Sequence, residues 1–364
     1  MKEIKCHLGK RSYSLYIGKN ALAGCRSYFK KAGIKDKALV VTNKKVFRLY
    51  FSKLKKQLQK SGLDVYYHIL PDSERAKSQK ELFRLYNKLL SLRFDRYTTL
   101  VALGGGVIGD VCGFCASTYM RGINFINIPT TLLAQVDSAI GGKTAINLEK
   151  GKNLVGSFYQ PRFIVSDISF LSSLSRRQRA VSLSEVIKYG VIWDGNFFLF
   201  LEQRIEKALA GDLSVLEHIV YSSSKIKVHV VERDEEEVTG FRAILNFGHT
   251  FAHAFEAAGG YNAISHGEAV ALGMIAAARL ANMTGIFSER GLRRIEDLVM
   301  RIGLRRSLKS YGITTSKILY YMQFDKKNKG KKISLVLPTR IGHVKVLSNI
   351  SRPLIEKAVN SLFF

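Results

Sequence analysis

Only five prolines, four cysteines and one tryptophan occur among 364 residues, and acidic side chains are scarce. So few prolines, with an ordinary apolar fraction of 46%, argue against long disordered stretches. The cysteines (Cys6, Cys25, Cys112 and Cys115) give no disulfide-like framework and suit a reducing compartment. Cys112 and Cys115 form a CGFC motif that invites a redox or metal reading. No second pair stands at zinc-ribbon spacing, and the motif lies in an apolar segment after a glycine turn. Buried small residues are therefore the expectation. The longest apolar stretch, Ala269 to Ala281, is interrupted by Arg279 and too short to span a bilayer. The first twenty residues carry no apolar signal core or cleavage pattern, so the expected location is cytoplasmic. No repeat of fixed period appears.

The scarcity of acids leaves a large positive charge. Lys and Arg number 57 against 29 Asp and Glu, a formal net charge of +28. Such a field attracts anions without naming them. Residues 1–100 hold 24 Lys/Arg against 7 Asp/Glu, yet these cations alternate with apolar residues, as in KLKKQLQK from Lys53 to Lys60. That pattern is the wet face of a helix. Neither a nucleic-acid nor a membrane partner is expected; small anionic substrates remain open.

The length favours two domains. In the first half, Ala38–Thr42, Val65–Leu70, Tyr97–Leu103, Asn124–Ile128 and Phe163–Ser166 read as strands. Helical patterns fall between them at Phe47–Ser61 and Lys77–Leu92, which implies a mostly parallel, Rossmann-like sheet. Ile4–His7 and Ser14–Ile17 are read as a separate hairpin. Beyond residue 172 helical patterns dominate: Val181–Trp193, Leu213–Glu232, Thr250–Ala257, His266–Met283 and Arg290–Arg301. The expectation is an α/β domain over 1–174 that binds a dinucleotide and an all-helical domain over 175–364 that binds metal and substrate.

Gly104, Gly105, Gly106 and Gly109 form G-x-G-x-x-G between a strand and a helical segment, where glycines let backbone N–H groups approach a pyrophosphate. No acid follows near residues 124–130 to hold a ribose, so the turn is either a nonstandard dinucleotide site or an ordinary strand-to-helix turn. Gly141, Gly142, Lys143 and Thr144 look like half a P-loop, but the upstream Walker glycine is missing and an ATPase is disfavoured. Asp137 and Lys143 are candidates for substrate hydroxyls and phosphate; the alternative is a helix cap and a solvated lysine. Lys152 and Asn153 repeat the pattern of polar donors beside glycine.

The second half supplies metal-ligand types. His249 and His253 stand at i and i+4, Glu256 follows at i+7, and His266 and Glu185 flank them in sequence. Two imidazoles and one carboxylate would leave a zinc position open to substrate; the alternative for the i, i+4 pair is an ordinary helix face. Arg242, Asn246 and His249 are spaced to share one helical face, with Lys188 and Lys227 as further cations.

Together the runs GGGVIGD, YMRGINFINIPTTLLAQVDSAIGGKTAIN, GKNLVGSFYQP, SEVIKYG, LNFGHTFAHAFE, SHGEAVALGM and DKKN resemble the 3-dehydroquinate synthase family of sugar phosphate cyclases, in family order and over nearly the whole chain. The resemblance implies metal ligands at Glu185, His249 and His266, with zinc or cobalt. It implies substrate contacts at Lys143, Lys188, Lys227, Arg242, Asn246, His253, Asp137, Asn153, Lys326 and Lys327. It places NAD against Gly104, Gly105, Gly106, Asp110, Thr130, Thr131, Lys143 and Lys152, and more loosely against Asn43, Glu74 and Lys77. Arg121 matches an arginine that the family presents to a neighbouring subunit, which implies a homodimer. The activity implied is that of a phosphate-eliminating carbon–oxygen lyase. It would convert 3-deoxy-D-arabino-heptulosonate 7-phosphate to 3-dehydroquinate on the shikimate route, by transient oxidation, elimination, reduction, ring opening and aldol closure. A sister cyclase or a metal-dependent polyol dehydrogenase is the alternative.

The chain shows Leu174-Ser175 and Gln178 where Leu-Pro and an acid are usual in the family, and Ser182 where glycine is common. Lys45 replaces a small polar residue, and the loop ERDEEEVTGF is one residue longer than usual.

Overall fold

Five short apolar runs of the first half become parallel strands of one sheet. The computed structural model describes residues 1–149, 151–305, 307–323 and 333–363. The chain opens with β1 (Lys2–Cys6), β2 (Tyr13–Gly18), α1 (Cys25–Lys31), β3 (Lys37–Asn43), α2 (Lys44–Val46) and α3 (Ser52–Lys60). It continues through β4 (Asp64–Leu70), α4 (Gln79–Ser91), β5 (Thr99–Gly104), α5 (Gly106–Thr118) and β6 (Asn124–Pro129). A hairpin of β7 (Lys143–Leu148) and β8 (Gly151–Phe158) precedes β9 (Phe163–Asp167).

The main sheet runs β1-β2-β9-β6-β5-β3-β4, antiparallel only between β1 and β2. Alternate residues serve opposite faces, as the pleat requires. Val40, Val101 and Ile126 pack under α1 and α3 through Phe29, Leu54 and Leu58. Leu39, Val41, Leu100 and Ala102 pack against α4 and α5 through Leu82, Leu85 and Val111. Both faces are covered, which is why these strands read as continuous apolar runs. The chain leaves β3 toward β4 and returns on the other side at β5. Ligands in such sheets gather at this switch point, beyond the carboxyl ends of the strands.

The first hairpin is not separate: β2 pairs in parallel with β9 from Ser14 to Gly18 and extends the main sheet. The hairpin β7–β8 lies in a stretch read only as glycine turns. All four cysteines are buried free thiols, and burial pushes Cys115 upward and Cys25 up to about 12.

The remaining helices are α6 (Arg176–Ile192), α7 (Gly195–Ala210), α8 (Leu213–Arg233), α9 (His249–Ala258), α10 (His266–Met283), α11 (Glu289–Arg301) and α12 (Thr315–Met322). A hairpin of β10 (Leu335–Arg340) and β11 (His343–Leu347) precedes α13 (Arg352–Asn360). Two units result: Met1–Leu174 with Leu216–Glu236, and Ser175–Val215 with Glu237–Phe364. The chain first leaves the α/β unit at 174, and residues 216–236 return to it. Tyr221 receives the ammonium of Lys2 on its ring, the Ser224 hydroxyl donates to the Gln135 carbonyl, and Glu235 pairs with Arg11. No described helix is long and apolar enough to cross a membrane.

Candidate active site

The helical unit brings three ligand-type side chains together by helix placement. Glu185 lies in the middle of α6 and is almost fully buried. Helix α6 starts with a capping box in which the Ser175 hydroxyl accepts from Gln178 N–H and the Gln178 side chain accepts from Ser175 N–H. These two family departures thus supply the helix start. His249 is the first residue of α9 and His266 the first of α10. Helix N-termini disfavour an imidazolium and so favour the neutral, metal-ligating imidazole.

Both histidines aim Nε2 at one oxygen, Glu185 Oε1, at 3.1 Å from His249 and 3.3 Å from His266. Their other nitrogens are engaged: His249 Nδ1 donates to the Phe247 carbonyl at 3.1 Å, and His266 Nδ1 lies 3.4 Å from Glu256 Oε2. Lys188 presses its ammonium on Glu185 Oε2, outside hydrogen-bond geometry. Burial pushes the Glu185 carboxyl up, but Lys188 and the histidines outweigh it and hold the acid well below its usual range. Burial takes His249 down to about 4. The same burial acts on His266, where hydrogen bonds to Glu185 and Glu256 prevail and raise it to about 10.

That imbalance is a test of fit for a metal. The ligand atoms of Glu185, His249 and His266 all lie within 4.8 Å of one another. With each Nδ1 committed as a donor, two imidazole lone pairs and a carboxylate face one point. Such an arrangement needs a cation: a proton on His266, or a divalent ion. Two nitrogens, one oxygen and an open side match a catalytic zinc-type site.

Around this triad, His253 sits on the next turn of α9, its ring 5.7 Å from that of His249. Arg242 and Asn246 lie on a 3₁₀ turn, Phe241–Asn246, and not on the helix that carries His249. The expected common helical face is broken at Gly248, with φ of +77°. A Cβ there would stand 2.8 Å from the Met274 nitrogen, so α9 begins afresh where it packs closely on α10. Arg242 is buried, 3.6 Å from Glu237.

In the α/β unit, Gly104 ends β5, Gly105 caps α5 and Gly106 opens it. A Cβ on Gly106 would come within 2.8 Å of Ser138 Oγ, and one on Gly105 within 3.3 Å of Thr131. These glycines therefore form a close cradle at the sheet's switch point, the geometry a pyrophosphate requires. Asn43, at the end of β3, accepts from Val46 N–H and donates to Asp72 at 2.8 Å. Thr130 N–H donates to the Gly104 carbonyl, and Thr131 Oγ1 accepts from Ala134 N–H.

A second polar group joins Lys77, Asp110 and Asn153. Buried Lys77 is 2.5 Å from Asp110 Oδ2 and also meets the Asn153 side chain. Burial outweighs that lysine and lifts Asp110 to about 6. Asn147 links this group to Glu74, donating to Glu74 Oε2 while accepting from Asn153 N–H. Lys227 on α8 donates to Asp137 Oδ1 at 2.6 Å, so Asp137 is held by a cation as well as its own turn. Lys143 lies on β7, Lys152 on β8 and exposed Arg121 after α5 at φ of +63°. Lys326 and Lys327 lie outside the described residues. Asn147, Asp72 and the Phe247 carbonyl had no sequence signal, because polar residues in hairpins and turns are commonplace.

Comparison with known proteins decides the family. The model of the 3-dehydroquinate synthase N-terminal family matches residues 67–181, and that of the C-terminal family matches residues 182–328. The 3-dehydroquinate synthase of Desulforamulus reducens is 44% identical, over 96% of this chain and 97% of its own. That of Thermodesulfovibrio yellowstonii is 42% identical, over 99% and 100%. The chain belongs to the 3-dehydroquinate synthase family. Its activity is accordingly that of a 3-dehydroquinate synthase, an NAD-dependent cyclase reaction.

Among solved structures, 2-deoxy-scyllo-inosose synthase complexed with carbaglucose-6-phosphate, NAD+ and Co2+ superposes with TM-score 0.89, at 26% identity and full coverage of both chains. The 2-epi-5-epi-valiolone synthase from Streptomyces hygroscopicus, with NAD+ and Zn2+ bound, shares the fold at TM-score 0.87 and 24% identity, covering 98% of each chain. A 1,3-propanediol oxidoreductase shares the fold more distantly, at TM-score 0.71 and 17% identity over 96% of this chain and 97% of its own. The sister-cyclase and dehydrogenase readings thus rest on remoter relatives than the synthase reading does.

Proposed function

We propose that the chain converts 3-deoxy-D-arabino-heptulosonate 7-phosphate to 3-dehydroquinate and phosphate, with NAD held at the glycine turn and a divalent metal held by Glu185, His249 and His266. The observation that carries this reading is the convergence of those three ligand atoms within 4.8 Å, in a chain of this family. When bound, NAD would supply a hydride acceptor and the metal Lewis acidity.

The chain's own residues bind, orient and move protons. Gly105 and Gly106 let backbone approach the cofactor's pyrophosphate, while Asn43 and Thr130 fix the turn edges around it. Lys188 keeps Glu185 ionised, which a metal ligand must be. Lys227, fixed on Asp137, and Arg242, fixed near Glu237, are preset cations for the substrate's anionic ends. Presetting them removes reorganisation from the reaction itself. Lys143, Asn153 and Asn246 are assigned to substrate oxygens, and exposed His253 to proton transfer beside His249. Arg121 is assigned to a partner subunit's site in a homodimer. Four free thiols accord with a cytoplasmic setting.

Replacing His249 with alanine tests the assignment. Zinc retention and phosphate release should vanish together; a metal-free His249→Ala protein that still turns over the heptulosonate phosphate would overturn it.

A further inference from the structure

We infer that Glu256 is a positioning residue for the metal: through His266 Nδ1 it selects the tautomer and orientation that present Nε2 to the ion. The inference rests on the metal reading of Glu185, His249 and His266 given above, and extends it to a side chain outside that ligand set.

The geometry is specific. His266 Nε2 points at the shared ligand point, 3.3 Å from Glu185 Oε1, and its Nδ1 lies 3.4 Å from Glu256 Oε2. A ring with Nε2 on a metal must carry its proton on Nδ1, and a carboxylate at that distance accepts it. Carboxylate–histidine–metal arrangements of this kind fix the ring and raise the ligand's basicity.

Helix geometry explains how the chain achieves it. Glu256 follows His249 by seven residues on α9, which at 3.6 residues per turn returns it to the same face. One face of α9 therefore supplies the ligand His249 and, two turns later, the group that holds the ligand of α10. The position is intrinsically unfavourable for an acid. Glu256 lies in the last turn of its helix, where the dipole repels negative charge, and only 9% of it is exposed. A buried carboxylate there requires a compensating donor, and the His266 ring faces it.

The two histidines are consequently unequal. His249 donates to the neutral Phe247 carbonyl, whereas His266 faces a full negative charge. With Glu185, two carboxylates then balance the charge of a divalent ion. Removing the Glu256 charge should weaken the metal without removing a ligand.

The test measures zinc affinity by competition with a fluorescent chelator for the unmodified protein, Glu256→Gln and Glu256→Leu, with thermal unfolding of each metal-free form. Glu256→Leu should bind zinc 10- to 100-fold more weakly. Glu256→Gln, which keeps an acceptor for Nδ1–H but loses the charge, should be weakened by a smaller factor of at least fivefold. If Glu256→Leu fails to fold, the near-isosteric Glu256→Gln carries the test alone. Zinc affinity in Glu256→Gln equal to that of the unmodified protein would overturn the inference and leave the metal site standing. Failure of the unmodified protein to bind zinc would overturn both readings together.

Discussion

Lys188 rests its ammonium against the carboxylate of Glu185 one helical turn away on α6, and both side chains are almost wholly buried. Breaking such a pair removes one of the groups that compensate the buried Glu185 charge and costs up to about 3–5 kcal/mol. Lys188→Met should therefore lower the stability of the metal-free protein by up to that much. A bound divalent ion also compensates Glu185, so zinc should restore more stability to the variant than to the unmodified protein. Denaturant unfolding with and without zinc checks both; equal zinc effects would show that Glu185 is not a ligand.

The capping box at the start of α6 separates stability from chemistry. Ser175→Ala removes one cap and should cost about 1 kcal/mol. Zinc affinity should be unchanged, since Glu185 lies ten residues further on. A large loss of metal would mean that the helix start, and not only its middle, positions the ligand.

Glycine at 248 and glycine at 240 both adopt positive φ, at +77° and +82°. A Cβ on Gly240 meets nothing within 4 Å, whereas one on Gly248 meets the Met274 backbone. Gly240→Ala should cost only the left-handed strain of about 1–2 kcal/mol. Gly248→Ala should cost distinctly more and disturb zinc binding, because it displaces the start of α9 and with it His249. Similar melting temperatures for the two variants would contradict this.

Asp110 gives a pH signature. Its carboxyl is raised to about 6 by burial, against the pull of Lys77, from an ordinary value of 3.8. For an acid raised on folding, the ionised form is the disfavoured one. The penalty is absent below about pH 4, grows between pH 4 and 6, and is complete above that window. Asp110→Asn should therefore gain stability relative to the unmodified protein as pH rises from 4 to 6, on top of a constant offset from the lost Lys77 pair. A relative loss over that window would show that Lys77 outweighs burial.

Much of this was readable in the sequence where one physical rule dominates. The strands β3, β5 and β6 announce themselves as apolar runs because both sheet faces are covered. Helices α8, α10 and α11 followed from periodicity, whereas α7 was missed, its opening Phe197, Phe198 and Phe200 masking the helical period. The hairpin β7–β8 was invisible because its residues are half-exposed and interrupted by glycine. Pairing of β2 with β9 joins residues some 150 apart, and no local signal encodes it. At the site, spacing suggested His249 and His253 as partners. The fold instead sets His249 against His266 and Glu185, because helix N-termini and not helical spacing bring these together. The return of 216–236 to the α/β unit likewise depends on contacts such as Lys227 with Asp137, which periodicity cannot show.

The most direct measurement is the number of phosphates released per NAD. Zinc-loaded protein should be given 3-deoxy-D-arabino-heptulosonate 7-phosphate in excess over NAD, with product and NADH absorbance followed together. Many phosphates and an equal amount of 3-dehydroquinate should form per NAD, with no accumulating NADH. Silence with this substrate, or NADH rising in step with oxidation of a simple polyol, would contradict it.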